Sequence, residues 1–270
     1  MGKPKGVKKL TLVKVYNDCV LREAFQFNNT LVKQLTGSEF SNQFDATKID
    51  TSERLPKELQ DQNVFIVHLG GGRHQFVKGI FLGYHVLEPV PENRIFSWSY
   101  RPGVLDGTDS SEAGVLSIAY NQQIIQDFLY DDRTRQVYIN VPRRTRGKED
   151  NSFSYKIGDQ VIRVDGLQIE MDFIVERNGE IALAEAKCSS QGLPRDFAVV
   201  QVYLPYRRLL RLLARKGVMP RVRSMFLVQY KRPDAKNALR VYEYTFDDPQ
   251  DMGSIRLLKN AEYVLEGKKS

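Results

Sequence analysis

Residues 168–187 read QIEMDFIVERNGEIALAEAK, two β-type runs on either side of Asn178-Gly179. Asn-Gly is the strongest short-range hairpin signal, because both residues accept positive φ in a tight turn. A two-residue turn pairs Arg177 with Glu180 and sets the register outward from there. Asp172 then falls opposite Glu185, and Glu170 opposite Lys187. Side chains alternate along a strand, so all four share one face. Directly opposed β-carbons lie roughly 4.5–5.5 Å apart, where like charges destabilise a sheet. Two carboxylates so placed, with a lysine beside them, point to a cation between them. The other face is apolar, with Met171, Phe173 and Val175 against Ala182, Ala184 and Ala186. Ile174 and Leu183 on the charged face bury it in part, and buried acids without partners are costly. The plainer reading is a cross-strand ion pair, Glu170 with Lys187, on a solvated sheet.

Two carboxylates and water supply the oxygen ligands that a hard divalent ion such as Mg²⁺ prefers. A lysine on the same face can position or deprotonate a water. Asp172, twelve intervening residues, then Glu185-Ala186-Lys187 resembles the signature of the PD-(D/E)XK nucleases. Met171 stands where that motif names a proline. The resemblance implies an α/β fold, a restriction-endonuclease-like core with a mixed sheet flanked by helices. It implies Asp172 and Glu185 as ligands of Mg²⁺, with Mn²⁺ as a substitute, and Lys187 acting on the attacking water. The products implied are a 5′-phosphate and a 3′-hydroxyl.

The segment Arg195 to Arg208 resembles the helix that follows the catalytic strand in some restriction endonucleases, placing Gln201 and Tyr206 beside the site. It is also an amphipathic helix with Val202, Leu209, Leu210, Leu212 and Leu213 as core. Arg207, Arg211 and Arg215 recur every four residues on one face, suited to phosphate oxygens or to solvent. Upstream, Ser110 or Ser111 is a good N-cap for a helix whose apolar positions include Val115, Ile118, Ala119 and Ile125. Glu112 matches the acid that the family often carries there. It equally complements a helix macrodipole.

With 40 Lys+Arg against 33 Asp+Glu, the net charge is +7. A positive field attracts phosphate backbones, and such binding weakens steeply with salt. Arg133, Arg135, Arg143, Arg144, Arg146 and Lys148 crowd one stretch just before the catalytic strands, and Arg143, Arg144, Arg146 and Lys148 are expected to contact DNA. Cys19 and Cys188 are the two cysteines, too few for a zinc site or a disulfide framework. No apolar run approaches a membrane span, and no secretory signal is evident, so a cytoplasmic protein is expected.

Residues 1–90 read as a smaller N-terminal α/β domain and 91–270 as the nuclease domain. Helices around 17–27 and 55–60 precede strands at 64–69 and 75–80 joined by a glycine triplet. That order resembles a winged-helix DNA-binding module, with Arg73 and His74 at the wing tip. No Lys-Ser/Thr follows the glycines, so no nucleotide cofactor is expected. Leu87 to Pro102 reads as a linker carrying one strand around Trp98. Strands are expected at 223–230 and 239–246, and from Gly253 to Ser270 a short closing element that then frays. The function implied is a Mg²⁺-dependent type II restriction endonuclease cutting double-stranded DNA, with a homodimer expected for palindromic sites. The alternatives are a structure-specific nuclease, such as a junction resolvase or repair enzyme, and a catalytically inactive DNA-binding module.

Overall fold

Residues 221–231 carry apolar side chains towards both faces, as a strand covered on each side must. In the computed structural model, which describes residues 7–37, 43–101, 111–140, 150–190 and 192–267, this strand is central to a large sheet. The N-terminal part runs α1 (Val7–Leu21), β1 (Gln26–Asn28), α2 (Asn29–Thr36), α3 (Gln43–Thr47), α4 (Lys57–Asp61), β2 (Val64–Gly70) and β3 (Arg73–Lys78). Then come α5 (Ile80–Gly83), β4 (Tyr84–Val86), β5 (Ile95–Tyr100), α6 (Glu112–Asn121), α7 (Ile124–Tyr130) and β6 (Tyr138–Asn140). A hairpin of β7 (Phe153–Ile157) and β8 (Gln160–Val164) precedes β9 (Phe173–Arg177) and β10 (Glu180–Ser189). The chain closes through β11 (Asp196–Ala198), α8 (Val200–Arg215), β12 (Arg221–Lys231), β13 (Asn237–Phe246) and β14 (Ile255–Gly267).

Among the described residues, seven strands form one mixed sheet in the order β5-β14-β13-β12-β10-β9-β6. β10 lies parallel to β12, and β14 parallel to β5. A parallel pair needs a crossover, and α8 supplies the one between β10 and β12. Alternation then sorts the two faces. Ala182, Ala184, Met225 and Leu227 pack towards α6 and α7 with Val115, Ile125 and Phe128. Leu183, Phe226 and Val228 pack the other way, with Val202 and Leu209 of α8. That second core is continuous with Phe65, Val67 and Leu59 of the N-terminal part.

Three expectations change. Residues 95–100 are an edge strand of the sheet rather than part of a linker, with Trp98 buried in the α6–α7 core and covered by the Arg133 guanidinium at 3.7 Å. The C-terminal segment forms a long strand rather than a short closing element, because β14 pairs with β13 and then with β5. Its buried Glu262 accepts from Tyr230 and pairs with Arg232 and Arg240.

The third concerns the glycine hairpin, β2–β3, whose Gly70 is packed against residues 165–167 while Gly71 and Arg73 stay exposed. A β-carbon on Gly70 would sit 2.1 Å from the Asp165 carbonyl oxygen, so no larger residue fits this approach. The Asp165 amide donates to the Leu69 carbonyl at 2.8 Å. His74 is buried, with its Nδ1 2.8 Å from His68 Nδ1 and its Nε2 2.8 Å from Asn29 Oδ1. It is therefore a core residue, while Arg73 is exposed and lies 3.9 Å from Asp165. Among the described residues no helix is long and apolar enough to cross a membrane.

Candidate active site

The turn at Asn178 and Gly179 has φ of 47° and 78°, as Asn-Gly requires. Arg177 pairs with Glu180, and the ladder runs to Phe173 opposite Ala184. Asp172 lies one residue past its end. From there its Oδ2 accepts a hydrogen bond from the Ala186 amide at 3.2 Å, which ties the carboxylate beside the strand carrying Glu185 and Lys187.

Lys187 joins the acids. Its Nζ donates to Glu185 Oε1 at 2.7 Å and to Glu112 Oε1 at 2.5 Å. Glu112 arrives from α6, whose start is set by Ser111, the N-cap, accepting from the Gly114 amide at 3.2 Å. Glu112 is half exposed, whereas the side chains of Glu185 and Lys187 are 15% and 20% exposed, so the group opens to solvent on the Glu112 side. Glu170, expected opposite Lys187, instead accepts from Gln168 at 2.7 Å.

The electrostatics show what the site lacks. Burial pushes the Glu185 carboxyl up to about 8, Lys187 pulls it back in part, and Asp172 and Glu112 add to the rise. Asp172 is raised as well, mainly by burial, against the lowering pull of the Ala186 amide and Lys187. Burial alone would lower Lys187, but Glu185 and Glu112 more than offset it and hold the amine above its usual value. The acid pair therefore keeps a proton near neutrality while the lysine remains an ammonium.

Gln201 completes the arrangement from the first turns of α8. Its side chain shares a small pocket with Glu185, Leu183, Met171, Pro205 and Met225. Nε2 donates to Asp50 Oδ1 at 3.3 Å, and Oε1 is buried with no hydrogen-bond partner. Pro205, four residues on, has no N–H to offer the Gln201 carbonyl. Among the described residues no cluster of three or more His, Cys, Asp or Glu side chains converges to hold a metal. Asp172 is held beside the strand that carries Glu185, and Gln201 lines the pocket with Glu185; two carboxylates and an amide are the oxygen donors that a hard cation takes. The raised carboxyls of Glu185 and Asp172 and the unpartnered Gln201 amide oxygen are both features that such a cation would relieve.

The remaining expected residues lie elsewhere. Tyr206 turns into the core against Phe246, ring centroids 4.9 Å apart. Arg211 donates to the Ser152 carbonyl at 2.7 Å and lies over Phe153, and Arg215 pairs with Asp150. Arg207 is half-buried, its Nε without a partner. Arg143, Arg144, Arg146 and Lys148 lie outside the described residues. Met171, expected on the alanine face, packs instead with the α8 core and lines the pocket. Asp50 had no local signal, since it stands in a polar stretch far along the chain from Gln201.

The site's residues fall within matched family models. Residues 79–264 match the model described as Domain of unknown function (DUF6997). The chain belongs to that family. Residues 7–76 match a second model, Domain of unknown function (DUF6996). Glu112, Asp172, Glu185, Lys187 and Gln201 all lie in the DUF6997 stretch, while Asp50 lies in the DUF6996 stretch. No curated protein and no solved structure matches the chain.

The raised Glu185 carboxyl makes a prediction for the metal-free protein. A carboxyl whose folded value exceeds its unfolded one favours folding while protonated, fully so below the unfolded value. That contribution disappears as pH rises through about 8. In EDTA, wild type is expected to lose thermal stability between about pH 5 and pH 8. Glu185→Gln, which mimics the neutral acid, should flatten that slope. Parallel slopes for the two proteins in thermal melts across this range would refute the assignment.

Proposed function

We propose that this chain is a metal-dependent DNA endonuclease and, within that class, a type II restriction enzyme. The observation that carries the reading is Lys187, bridging Glu185 and Glu112 with Asp172 tied alongside. Asp172 and Glu185 are the residues that would hold Mg²⁺, or Mn²⁺ in its place. Such an ion, when bound, polarises a phosphoryl oxygen and stabilises the leaving alkoxide. Gln201 Oε1 is the further oxygen aimed into the pocket.

The protein's own groups divide the remaining work. Lys187, held as an ammonium by its two carboxylates, orients the attacking water and offsets charge on the pentacovalent phosphate. Its raised affinity for a proton argues against a role as general base while those contacts last. Glu112 sits on the open side, within reach of a water or of the ammonium that it already accepts from. Hydrolysis adds water to phosphorus and breaks its bond to the 3′ oxygen. Tight packing of Ala182, Ala184 and Ala186 beneath the site keeps the reacting groups on a rigid strand.

DNA would be met by the basic surface, including the run 143–148, Arg207 and Arg73. Arg211 and Arg215 already tie α8 to residues 150–153, which leaves them less available to phosphates. A homodimer would bring two such sites to a palindrome. The test is incubation with mixed unmethylated phage and plasmid DNA, with Mg²⁺ or with EDTA. Discrete Mg²⁺-dependent fragments are expected. A smear would reduce the reading to a nonspecific nuclease, and cutting confined to branched DNA would favour a structure-specific one. Intact DNA on every substrate would sink it.

A further inference from the structure

We infer that Asp50, contributed by the N-terminal part, is a positioning residue for the proposed active site, acting through Gln201. The inference rests on the nuclease reading for what the site does, but the contact itself stands on separate observations. A carboxylate can only accept, so the amide nitrogen of Gln201 must be the end that faces Asp50. The amide oxygen is thereby turned the other way, into the pocket shared with Glu185, where it has no partner. Without the carboxylate, either end of the amide could face the pocket, and a donor there would oppose a cation.

Asp50 is itself held in place. Its carbonyl accepts from the Ala198 amide at 2.9 Å, immediately before α8. Two residues on, the Ser52 amide donates to the buried Asp196 at 2.8 Å, and the Ser52 hydroxyl also bonds to it. Arg54 takes the second carboxylate oxygen of Asp50 at 3.1 Å, leaving Oδ1 to the glutamine. Residues 50–52 and 196–198 thus form a fixed clamp at the mouth of α8, and Gln201 lies one turn beyond it. The site is complete only with a residue from outside the DUF6997 stretch. The N-terminal part therefore does more than bind or buttress: it sets which atom of Gln201 the reacting centre meets.

The test uses the full chain with Asp50→Ala, Asp50→Asn and Arg54→Ala, each first checked for folding by its thermal midpoint. Three quantities are read: the Gln201 side-chain amide resonance, Mn²⁺ affinity by calorimetry, and kcat and KM on DNA. Gln201→Ala identifies the resonance by its loss. Asp50→Ala should shift that resonance. Loss of an outer partner typically costs about 10–100-fold in metal affinity or activity, and a fall in that range is expected in Mn²⁺ affinity or kcat, with KM for DNA unchanged. Asp50→Asn, whose amide can donate as well as accept, no longer fixes the Gln201 amide and should be impaired like Asp50→Ala, whereas Arg54→Ala, which leaves the carboxylate in place, should stay close to wild type. If Asp50→Ala does not fold, Asp50→Ser, too short to reach the amide, takes its place.

A folded Asp50→Ala protein with wild-type Mn²⁺ affinity and kcat would overturn the inference and leave the nuclease reading intact. Asp50→Asn with wild-type Mn²⁺ affinity and kcat would also overturn it, since an acceptor-only group would then not be what orients the amide, as would Arg54→Ala impaired like Asp50→Ala, since local folding would then be the cause. A wild type that neither binds Mn²⁺ nor cuts DNA, with the resonance still shifting in Asp50→Ala, would overturn the nuclease reading and with it this role. The Asp50–Gln201 bond would then be structural.

Discussion

Glu185→Gln should abolish DNA cleavage while leaving DNA binding within a few-fold of wild type. The substitution keeps the side chain's size, so Leu183 and Ala184 beside it need not move. It removes the carboxylate that a cation would bind and leaves the Lys187 ammonium a neutral amide oxygen in place of an acid. A loss of about 10³-fold or more in kcat corresponds to roughly 4 kcal/mol of transition-state stabilisation. On the nuclease reading binding should survive, because the phosphate contacts proposed lie with basic residues other than these, and removal of one nearby carboxylate slightly favours an anionic ligand. Lys187→Ala should be comparably damaging, and Lys187→Arg should not restore activity, because a planar fork cannot take the place of a compact ammonium between two acids. Gel shifts without metal and single-turnover cleavage with Mg²⁺ separate the two effects. Cleavage within tenfold of wild type in Glu185→Gln would remove the hairpin from the mechanism.

Glu262→Ala carries the second large effect, on stability. The Glu262 carboxylate is fully buried in β14, accepts from Tyr230 Oη at 2.7 Å, and pairs with both Arg232 and Arg240. Although burial pushes its carboxyl up, the Tyr230 and Arg240 hydrogen bonds more than offset this and hold it below its usual value. Removing one partner of a buried ionic network leaves the others uncompensated, a cost of roughly 3–5 kcal/mol. For a chain of this size that lowers the melting temperature by roughly 6–20 °C. Glu262→Gln, which keeps volume and one acceptor, should cost less. Urea or thermal unfolding of the three proteins decides it. A change under about 1 kcal/mol for Glu262→Ala would mean that the two arginines reach water and that the network is worth no more than a surface pair.

Much of the candidate site was legible because it is local. The register of β9 and β10 follows from Asn178-Gly179, and with it the placement of Glu185 and Lys187 on one side and the alanines on the other, while Asp172 lies past the end of the ladder. Ser111 capping α6 follows from side-chain chemistry within four residues. The amphipathic run from Val200 and the apolar strand around Met225 follow from periodicity, whereas the mixed sheet flanked by helices was implied by the family resemblance.

Other features were hidden because they depend on partners distant in the chain. Nothing near Gly253 announces that β14 is a long strand; its pairing with β13 and β5 makes it one. The glycine hairpin looks free in sequence, and is packed because residues 165–167 reach its tip. His74 seems a turn residue until Asn29 and His68 satisfy both its ring nitrogens. Alternation places Met171 with the alanines, but the ladder stops at Phe173, and without it Met171 turns to the α8 side.

The sequence by itself determined that Glu185 and Lys187 share a strand face opposite the alanines, because turn chemistry and side-chain alternation act over a few residues. Only the tertiary structure decided that Glu112 meets Lys187, that Gln201 is oriented by Asp50, and that the acids are buried enough to hold a proton. Those properties depend on which surfaces exclude water and which distant groups come within hydrogen-bond reach, and both are set by packing rather than by spacing along the chain.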